Sequence, residues 1–398
     1  MNRDPDTLAN CFDLTRSAGA TGEHRQLRDA LRRFVDGELA PHAAAWDEAG
    51  EFPRDVYRQA AQVGLLGLGY PAEFGGTPCD TLARIIATIE LTRSGSGGLI
   101  ASLMSHTIML GPLLKAGGPA LCARIVPRIL AGEAIGALAV TEASGGSDVA
   151  RMTTRATPLS EGPHAGGWRL NGSKMFITSG MRADHYLVAA RTGEPGARGI
   201  SLLLVDRDAP GLSRTPLAKT GWWCSDTAAL HFDDCPVDAD RLVGPLDGGF
   251  PLIMNNFNGE RLMMAAQAIG FAIVCCEDAL AWARERRTFG QPLVAHQVIR
   301  HKLVRMVDAI LPVLAWLAQL AARIERGDAP VAEISLVKNH AARVMRDCAD
   351  EAVQILGGAG YMRGTRVERI YREVKVMMIG GGAEEVLNDL AARQLGML

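Results

Sequence analysis

Two stretches of the sequence decide how the chain is interpreted: AVTEASGGSD at residues 139–148 and LNGSKMFITSG at residues 170–180. Each begins with alternating apolar and small polar residues and continues into glycine and serine, a pattern typical of a strand that runs into a turn. Such strand ends present hydroxyl groups and open backbone N–H groups. Together the two stretches predict a surface that can bind a flat ligand carrying many hydrogen-bond acceptors.

The hydrophobic period changes twice along the 398 residues. Residues 24–130 follow a helical period, residues 134–243 follow a period of two, and the helical period returns from residue 250. In the middle region we predict strands at 185–191, 200–206 and 227–234, and Asn171-Gly172 predicts a two-residue hairpin. In the last region we predict helices at 259–287, 293–327, 331–356, 366–376 and 383–394.

This order of elements predicts an α+β fold built from three domains. We expect an N-terminal α-helical domain, a β-barrel-like middle domain and a C-terminal α-helical bundle, at residues 1–133, 134–248 and 249–398. No Gly-x-Gly-x-x-Gly and no Gly-Lys-Ser/Thr loop occurs in the sequence. A bound dinucleotide would therefore need something other than a single strand–turn–helix to hold it.

Composition narrows the class of protein. A hydrophobic content of 48% allows a large core, and a net charge of −2 predicts no nucleic-acid or anionic-membrane partner. The eight cysteines show no Cys-x-x-Cys and no metal-like spacing, so we predict free thiols and no metal. The first residues lack an apolar stretch, and no uninterrupted run of about 18 apolar residues occurs. We therefore expect a cytoplasmic protein without a membrane-spanning helix.

The two opening motifs resemble those of the acyl-CoA dehydrogenase family, and the resemblance extends from about Gly22 to the C-terminus. The family's TEP-x-x-GSD motif matches residues 141–148, with Ala143 in place of proline. The resemblance implies FAD as cofactor. It implies that Thr141 bonds the isoalloxazine edge and that Ser147 lies by the phosphate and the acyl-CoA. It also implies that Phe176 covers the flavin face and Thr178 donates to the flavin.

Two further motifs match positions at the adenosine end of the cofactor. ERRTFGQPLVAHQ (285–297) resembles the family's Arg-x-x-Phe-Gly stretch, which implies cofactor contacts for Arg286, Phe289 and Gln297. QILGGAGY (354–361) implies the same for Gln354 and Gly358. In the family the flavin lies between the β domain and the C-terminal helices, and its pyrophosphate and adenine reach a neighbouring subunit. The resemblance therefore implies a homotetramer.

The catalytic base departs from the family's most common pattern. Many members carry a glutamate in a Tyr-Glu-Gly-Thr loop, but Gly381 occupies that position here and Ala383 replaces the threonine. The isovaleryl-CoA and long-chain subset instead carries the glutamate on a helix, directly before an arginine. Glu260-Arg261 in NFNGERLMMAAQAIG (256–270) resembles that arrangement. We expect Glu260 in the first turn of its helix, where the macrodipole favours the carboxylate.

The implied function is dehydrogenation of an acyl-CoA to a trans-2-enoyl-CoA in fatty acid metabolism, with electrons passed to an electron-transfer flavoprotein. Glu260 would remove the α proton, and the Gly381 N–H would donate to the thioester oxygen. Ser147, Asn258 and Arg261 would bind the substrate. The alternatives are a flavin monooxygenase of the same fold, an enzyme that runs in the reductive direction, and a catalytically silent flavin-binding subunit. The acyl group cannot be read from the sequence, and a carrier-protein thioester stays open.

Overall fold

The structure is a computed structural model that describes residues 7–398. The chain divides into two compact units. The helical unit comprises the described residues up to Asp47 together with Cys79–Gly97 and Glu260–Leu398. The sheet unit comprises Glu48–Pro78 and Gly98–Gly259. Along the chain the elements run from helices to strands and back to helices, in the predicted order. The three domain boundaries given above stay a prediction.

The sheet unit contains one mixed eight-stranded sheet with the order β6-β7-β3-β2-β4-β5-β8, and β1 pairs with β4 in parallel. Its strands are β1 Gly136–Ala139, β2 Arg155–Pro158, β3 Trp168–Thr178, β4 His185–Arg191, β5 Ile200–Asp206, β6 Leu212–Pro216, β7 Thr227–Val237 and β8 Leu242–Val243. A separate hairpin joins β9 Arg287–Thr288 and β10 Gln291–Pro292. The predicted strands at 185–191, 200–206 and 227–234 are confirmed, although β7 runs three residues further.

The core of the sheet unit forms where β4 and β5 are covered on both faces. Every residue of β4 is buried, and so is nearly every residue of β5, which explains why both read as almost continuous apolar runs. Helical side chains such as Leu113, Ile125 and Ile129 join Leu187 and Leu202 in one hydrophobic cluster. This core fixes the register of the sheet and therefore the positions of its strand ends.

The hairpin predicted at Asn171-Gly172 is wrong, because β3 continues through both residues. The pairing of β3 with β7 shifts register between Leu170 and Gly172, so these residues form a bulge and not a turn. Gly172 has φ +134°, and a Cβ there would lie 2.7 Å from the Thr154 Cα. The glycine is therefore needed for close packing within the sheet unit, which local turn chemistry does not reveal.

Helices make up most of the remaining chain. They are α1 Thr7–Phe12, α2 Gly22–Phe34, α3 Ala43–Ala49, α4 Asp55–Gln62, α5 Thr81–Leu91, α6 Gly97–Ser105, α7 Leu110–Ala116, α8 Pro119–Leu130, α9 Gly249–Glu285, α10 Gln297–Glu325, α11 Val331–Leu356, α12 Gly358–Tyr361, α13 Arg366–Ile379 and α14 Glu384–Gln394. Within the helical unit, α11 packs against α10, α13 and α14, and α2 packs against α5. The helix predicted at 331–356 is confirmed residue for residue.

The first long C-terminal helix begins earlier than predicted. We expected it at 259–287, but α9 starts at Gly249. The residues before Gly259 include Asn255, Asn256 and Asn258, which have low helix propensity and hid the helical pattern. In the structure the Asn256 side chain donates to the Ile108 carbonyl at 3.0 Å, so tertiary contacts within the sheet unit overcome the local preference.

The expectation that no helix could span a membrane was too strict, since it considered only uninterrupted apolar runs. By length and composition alone, the helical stretches Gly97–Ala116, Gly249–Glu285 and Gln297–Glu325 are each long and apolar enough to do so. In the first two, 72% and 83% of the most apolar window is buried inside the protein, whereas in the third the share is 39%. Packing inside the protein therefore accounts for the apolar character of the first two stretches.

Candidate functional site

The two opening motifs meet in the sheet unit, at the end of β1 and along β3. The Met175 N–H donates to the Thr141 carbonyl at 2.8 Å, which sets the loop after β1 beside the second half of β3. The Lys174 ammonium donates to the Val140 carbonyl at 3.0 Å and to Glu142 Oε1 at 2.9 Å, so it holds the residues on both sides of Thr141. The structure thus brings the two motifs together, as the sequence predicted.

Phe176 presents an exposed ring on a constrained backbone. The pairing of β3 with β7 shifts register between Lys174 and Ile177, and this irregularity leaves Phe176 at φ +62° with 66% of its surface exposed. Ser179, one residue after Thr178, also has a left-handed φ of +60°. A bulky residue in this region of φ is uncommon and is found mainly at functional sites. The arrangement fits an aromatic that covers a flat ligand.

The hydroxyl groups predicted to bind the cofactor make no hydrogen bond to the described residues. Thr141 and Thr178 are half-buried and Ser147 is exposed. Within residues 7–398, none of the three side chains makes a hydrogen bond. They are therefore available to a ligand with many acceptors, and this part of the chain fits the flavin end of FAD.

A cavity of about 370 Å³ in the helical unit is lined by two of the five residues predicted for the adenosine end, Arg286 and Gly358. Arg286 lines it together with Gly357 and Gly358, and Trp282 and Leu293 supply apolar surface. A Cβ on either glycine would meet no atom within 4 Å, so a ligand could approach this backbone closely. The volume of the cavity lies within the usual range of small-molecule binding sites.

The Arg286 guanidinium is exposed and makes no hydrogen bond or ion pair to any part of the chain that the structure describes. The Gly357 N–H donates to the Val353 carbonyl at 3.0 Å, whereas the Gly358 N–H has no acceptor among the described residues. A free guanidinium beside this open N–H fits a pyrophosphate, which the guanidinium can bind with two parallel hydrogen bonds. The other predicted residues do not line this cavity: Gln354 is exposed in the last turn of α11, Gln297 is exposed where α10 begins, and Phe289 is 97% exposed between β9 and β10. Their cofactor contacts stay predictions.

We expect Arg286→Ala to weaken FAD binding by about 1.5–3 kcal/mol, or roughly 10- to 150-fold in Kd, because charge-assisted hydrogen bonds to the pyrophosphate are lost. Fluorescence of FAD released on dilution measures this. Arg284→Ala is the matched control, since Arg284 is exposed near the same end of α9 but does not line the cavity. Equal FAD release from both variants would remove Arg286 from the cofactor site.

Glu260 carries a buried carboxyl group on α9. The residue as a whole is half-buried, but its Oε2 atom is buried and has no hydrogen-bond partner among the described residues. Burial raises the pKa of Glu260 to about 7, although Arg261 and Lys338 act in the opposite direction. The expected position in the first helical turn is wrong, because α9 starts eleven residues earlier at Gly249. The helix macrodipole therefore does not set the charge of this group; burial and two cations do.

The glycine turn 380–382, which joins α13 to α14, lies in the helical unit and is held by α9. The Arg261 Nε atom donates to the Gly381 carbonyl at 2.9 Å. Gly381 has φ +66°, and a Cβ there would lie 2.6 Å from the Met264 sulfur. The Gly381 N–H has no acceptor in the described part of the chain. The turn thus offers a free backbone donor and little room for a side chain.

Two of the three predicted substrate residues, Asn258 and Arg261, lie on α9, and the third, Ser147, lies in the loop after β1. Asn258 is half-buried, and Arg261 is only 7% exposed with its guanidinium directed to the Gly381 carbonyl. In this arrangement Arg261 supports the glycine turn. Its contact with coenzyme A, and that of Asn258, stay predictions.

Sequence reasoning missed the buried pair Glu142–Lys174. Lys174 is fully buried, and Glu142 also accepts from the Thr153 N–H and hydroxyl and from the Thr154 N–H at 2.7–2.9 Å. Together they shape the loop that carries Thr141. The available signal was a lysine at an inward-facing position of β3, two residues before Phe176, which a solvated strand face would not explain.

Models of the acyl-CoA dehydrogenase N-terminal, middle and C-terminal domains match residues 21–133, 137–235 and 247–396. The chain therefore belongs to the acyl-CoA dehydrogenase family, a family of FAD-dependent oxidoreductases, and has its three-domain fold: N-terminal helical, middle sheet and C-terminal helical.

Individual relatives cover nearly the whole chain. It is 44% identical to a probable acyl-CoA dehydrogenase from Mycobacterium abscessus, with a TM-score of 0.91, over 94% of this chain and 99% of that one. It is 34% identical to an acyl-CoA dehydrogenase from Bacillus subtilis, over 94% and 98% of the two chains. It is 32% identical to a mitochondrial isovaleryl-CoA dehydrogenase from Oryza sativa subsp. japonica, over 93% and 90%.

Proposed function

We propose that this protein dehydrogenates an acyl-CoA thioester between its α and β carbons to give a trans-2-enoyl-CoA, with Glu260 as the base. The observation that carries the proposal is the Glu260 Oε2 atom, which is buried and unpartnered, combined with a glycine at residue 381. A carboxyl group without a partner is costly to bury, and its retention is typical of a functional group.

The chemistry needs a proton acceptor and a donor for the thioester oxygen. A base is most effective when its pKa lies near the working pH, and the pKa of Glu260, raised by burial to about 7, meets that condition. The Gly381 N–H is free to donate to the thioester oxygen while the α proton leaves. The bound flavin supplies the hydride acceptor for the β carbon.

The reaction class is tested by adding a panel of acyl-CoAs, with a carrier-bound acyl thioester included, to the FAD-loaded protein under anaerobic conditions. We expect at least one member to bleach the flavin absorbance at about the rate of turnover with an artificial electron acceptor. If no member bleaches the flavin, the protein is a silent flavin-binding subunit and the proposal fails. Rapid reaction of the reduced flavin with oxygen would instead favour a monooxygenase.

We expect flavin reduction to depend on the ionisation of Glu260. Because burial raises the pKa of this carboxyl to about 7, the protonated and inactive form prevails at lower pH. The second-order rate constant should therefore rise about tenfold per pH unit below that value and level off above it. Stopped-flow reduction by one acyl-CoA, from about pH 5.5 to about pH 8.5, measures the profile. A rate constant that stays flat across this range would contradict the assignment.

The proposal includes an electron-transfer flavoprotein as acceptor, a role in fatty acid metabolism in the cytoplasm, and a homotetrameric assembly. Exposed apolar surface on α10 supports an assembly, since only 39% of its most apolar window is buried within the chain. Light scattering of the FAD-loaded protein tests the subunit number.

A further inference from the structure

Lys338 places a buried ammonium group beside the glycine turn. It lies on α11 and is only 1% exposed, and its Nζ atom donates to the Gly382 carbonyl at 2.8 Å. Within the described residues it forms no ion pair with a carboxylate at 4.0 Å or less. Burying an ammonium without a paired carboxylate is unfavourable, so a structural role alone explains this lysine poorly.

The glycine turn is thereby held from two helices. Arg261 on α9 binds the carbonyl of Gly381, and Lys338 on α11 binds the carbonyl of Gly382. At the other end of the turn, the Gly380 N–H donates to the Val376 carbonyl at 2.7 Å and closes α13. Since each peptide unit is planar, these bonds hold the units 379–380, 381–382 and 382–383, and they therefore flank the unit 380–381 that carries the Gly381 N–H. Three consecutive glycines would otherwise be free to change conformation.

The same two cations act on Glu260. Arg261 on its own helix and Lys338 on α11 are the charged groups that lower the pKa of Glu260 against the larger effect of burial. Burial lowers the pKa of Lys338 to about 8; Arg261 acts in the same direction, whereas Glu384, at the start of α14, and Glu260 act in the opposite direction. Glu384 is ion-paired with Arg343. The charge of Lys338 thus lowers the pKa of the proposed base, and its ammonium group directly contacts the turn that offers the proposed oxyanion donor.

We infer that Lys338 is a positioning residue for the reaction: its hydrogen bond to Gly382 helps to set the turn that presents the Gly381 N–H, and its positive charge favours the carboxylate form of Glu260. This inference rests on the proposed function. It assigns two separable tasks to one ammonium group, a hydrogen bond and a charge, and these can be removed one at a time.

Three substitutions separate the tasks. Lys338→Met removes both hydrogen bond and charge, Lys338→Gln keeps a donor without charge, and Lys338→Arg keeps both. The acid limb is the part of the pH profile in which the rate constant of flavin reduction falls with falling pH. We expect Lys338→Met and Lys338→Gln to shift this limb to higher pH by about one unit, which is a roughly tenfold loss of rate below the pKa. Only Lys338→Met should also lower the plateau rate at high pH, with little change in the apparent Kd for the acyl-CoA. Lys338→Arg should leave the acid limb at the pH of the wild type.

Lys302→Met is the matched control, because Lys302 lies on the neighbouring helix α10 and pairs with Glu351, which is not part of the turn. It should leave the acid limb unchanged. FAD content and the midpoint of thermal unfolding report whether each variant is folded. If Lys338→Met does not fold, the shift of the acid limb is tested with Lys338→Gln alone. An acid limb that stays at the wild-type pH in both neutral variants would overturn the inference.

A measurement without turnover keeps this test distinct from that of the reaction class. The infrared carboxyl band of Glu260, identified by its loss in Glu260→Gln, can be titrated in the FAD-loaded protein. The inference predicts that the band persists to higher pH in Lys338→Gln than in the wild type, by about one pH unit. If none of the acyl-CoAs bleaches the flavin of the wild type, the proposed function fails, whatever the infrared band does. If it bleaches but the band does not move, only the role of Lys338 fails.

Discussion

Glu260→Gln is expected to slow flavin reduction by an acyl-CoA by about 10²- to 10⁴-fold, the usual contribution of a positioned general base. Glutamine has almost the same shape as glutamate, so the buried site around Oε2 should stay packed, but an amide cannot accept the α proton at neutral pH. FAD should remain bound at the wild-type ratio, because this side chain is not among those predicted to hold the cofactor. Anaerobic stopped-flow absorbance measures both quantities.

Glu277→Gln is the matched control for this substitution. Glu277 lies on the same helix, burial raises the pKa of its carboxyl as well, and it pairs with Arg93 at 3.4 Å. It has no part in the proposed chemistry, so the rate of flavin reduction should stay within about twofold of the wild type, as for most substitutions away from a site. Equal rates in the wild type and Glu260→Gln would remove Glu260 as the base.

Lys174→Met is expected to destabilise the protein by about 3–5 kcal/mol, because it leaves the Glu142 carboxylate buried without its cation. Lys174 is fully buried, and Glu142 is 4% exposed. The loop that carries Thr141 should loosen as well, since the lysine also binds the Val140 carbonyl. Urea unfolding followed by flavin release should show a lower midpoint and weaker retention of FAD.

The double variant Lys174→Met/Glu142→Gln supplies the comparison. Removing both charges of a buried pair typically costs far less than removing one, so the double variant should recover a large part of the lost stability. If the single variant is as stable as the wild type, the pair contributes little and another group must shape the loop. If the double variant is no better than the single, the lost hydrogen bond to Val140 is the main cause.

Elements with a strong hydrophobic period could be predicted closely. The helix Val331–Leu356 was found over the predicted residues because its buried positions recur at the helical spacing. The strand His185–Arg191 was found because it is a short apolar run, buried along its whole length. The failures lie where packing within a unit outweighs local preference. Gly172 forms a bulge against Thr154 instead of a hairpin, and α9 continues back through asparagines to Gly249.

The residues of the candidate site that belong to sequence motifs could be predicted. The contacts between residues far apart in the sequence could not. Arg286 and Gly358 line one cavity, and Thr141 lies beside the strand that carries Phe176, as their motifs indicated. The pair Glu142–Lys174 joins residues 32 apart, and Lys338 reaches a carbonyl 44 residues away. No local pattern specifies such partners. Lys338 could have been suspected only as a lysine on the apolar stripe of α11, among Ile334, Ala341 and Met345.

Exchange of the substrate α proton with solvent tests most directly whether Glu260 is the base. The FAD-loaded wild type and Glu260→Gln are incubated anaerobically in D₂O with an acyl-CoA, and deuterium at the α carbon is followed by NMR. We predict that the wild type incorporates deuterium and that the variant, although it retains FAD and binds the acyl-CoA, does not. Incorporation at wild-type rate by the variant would show that another group removes the proton.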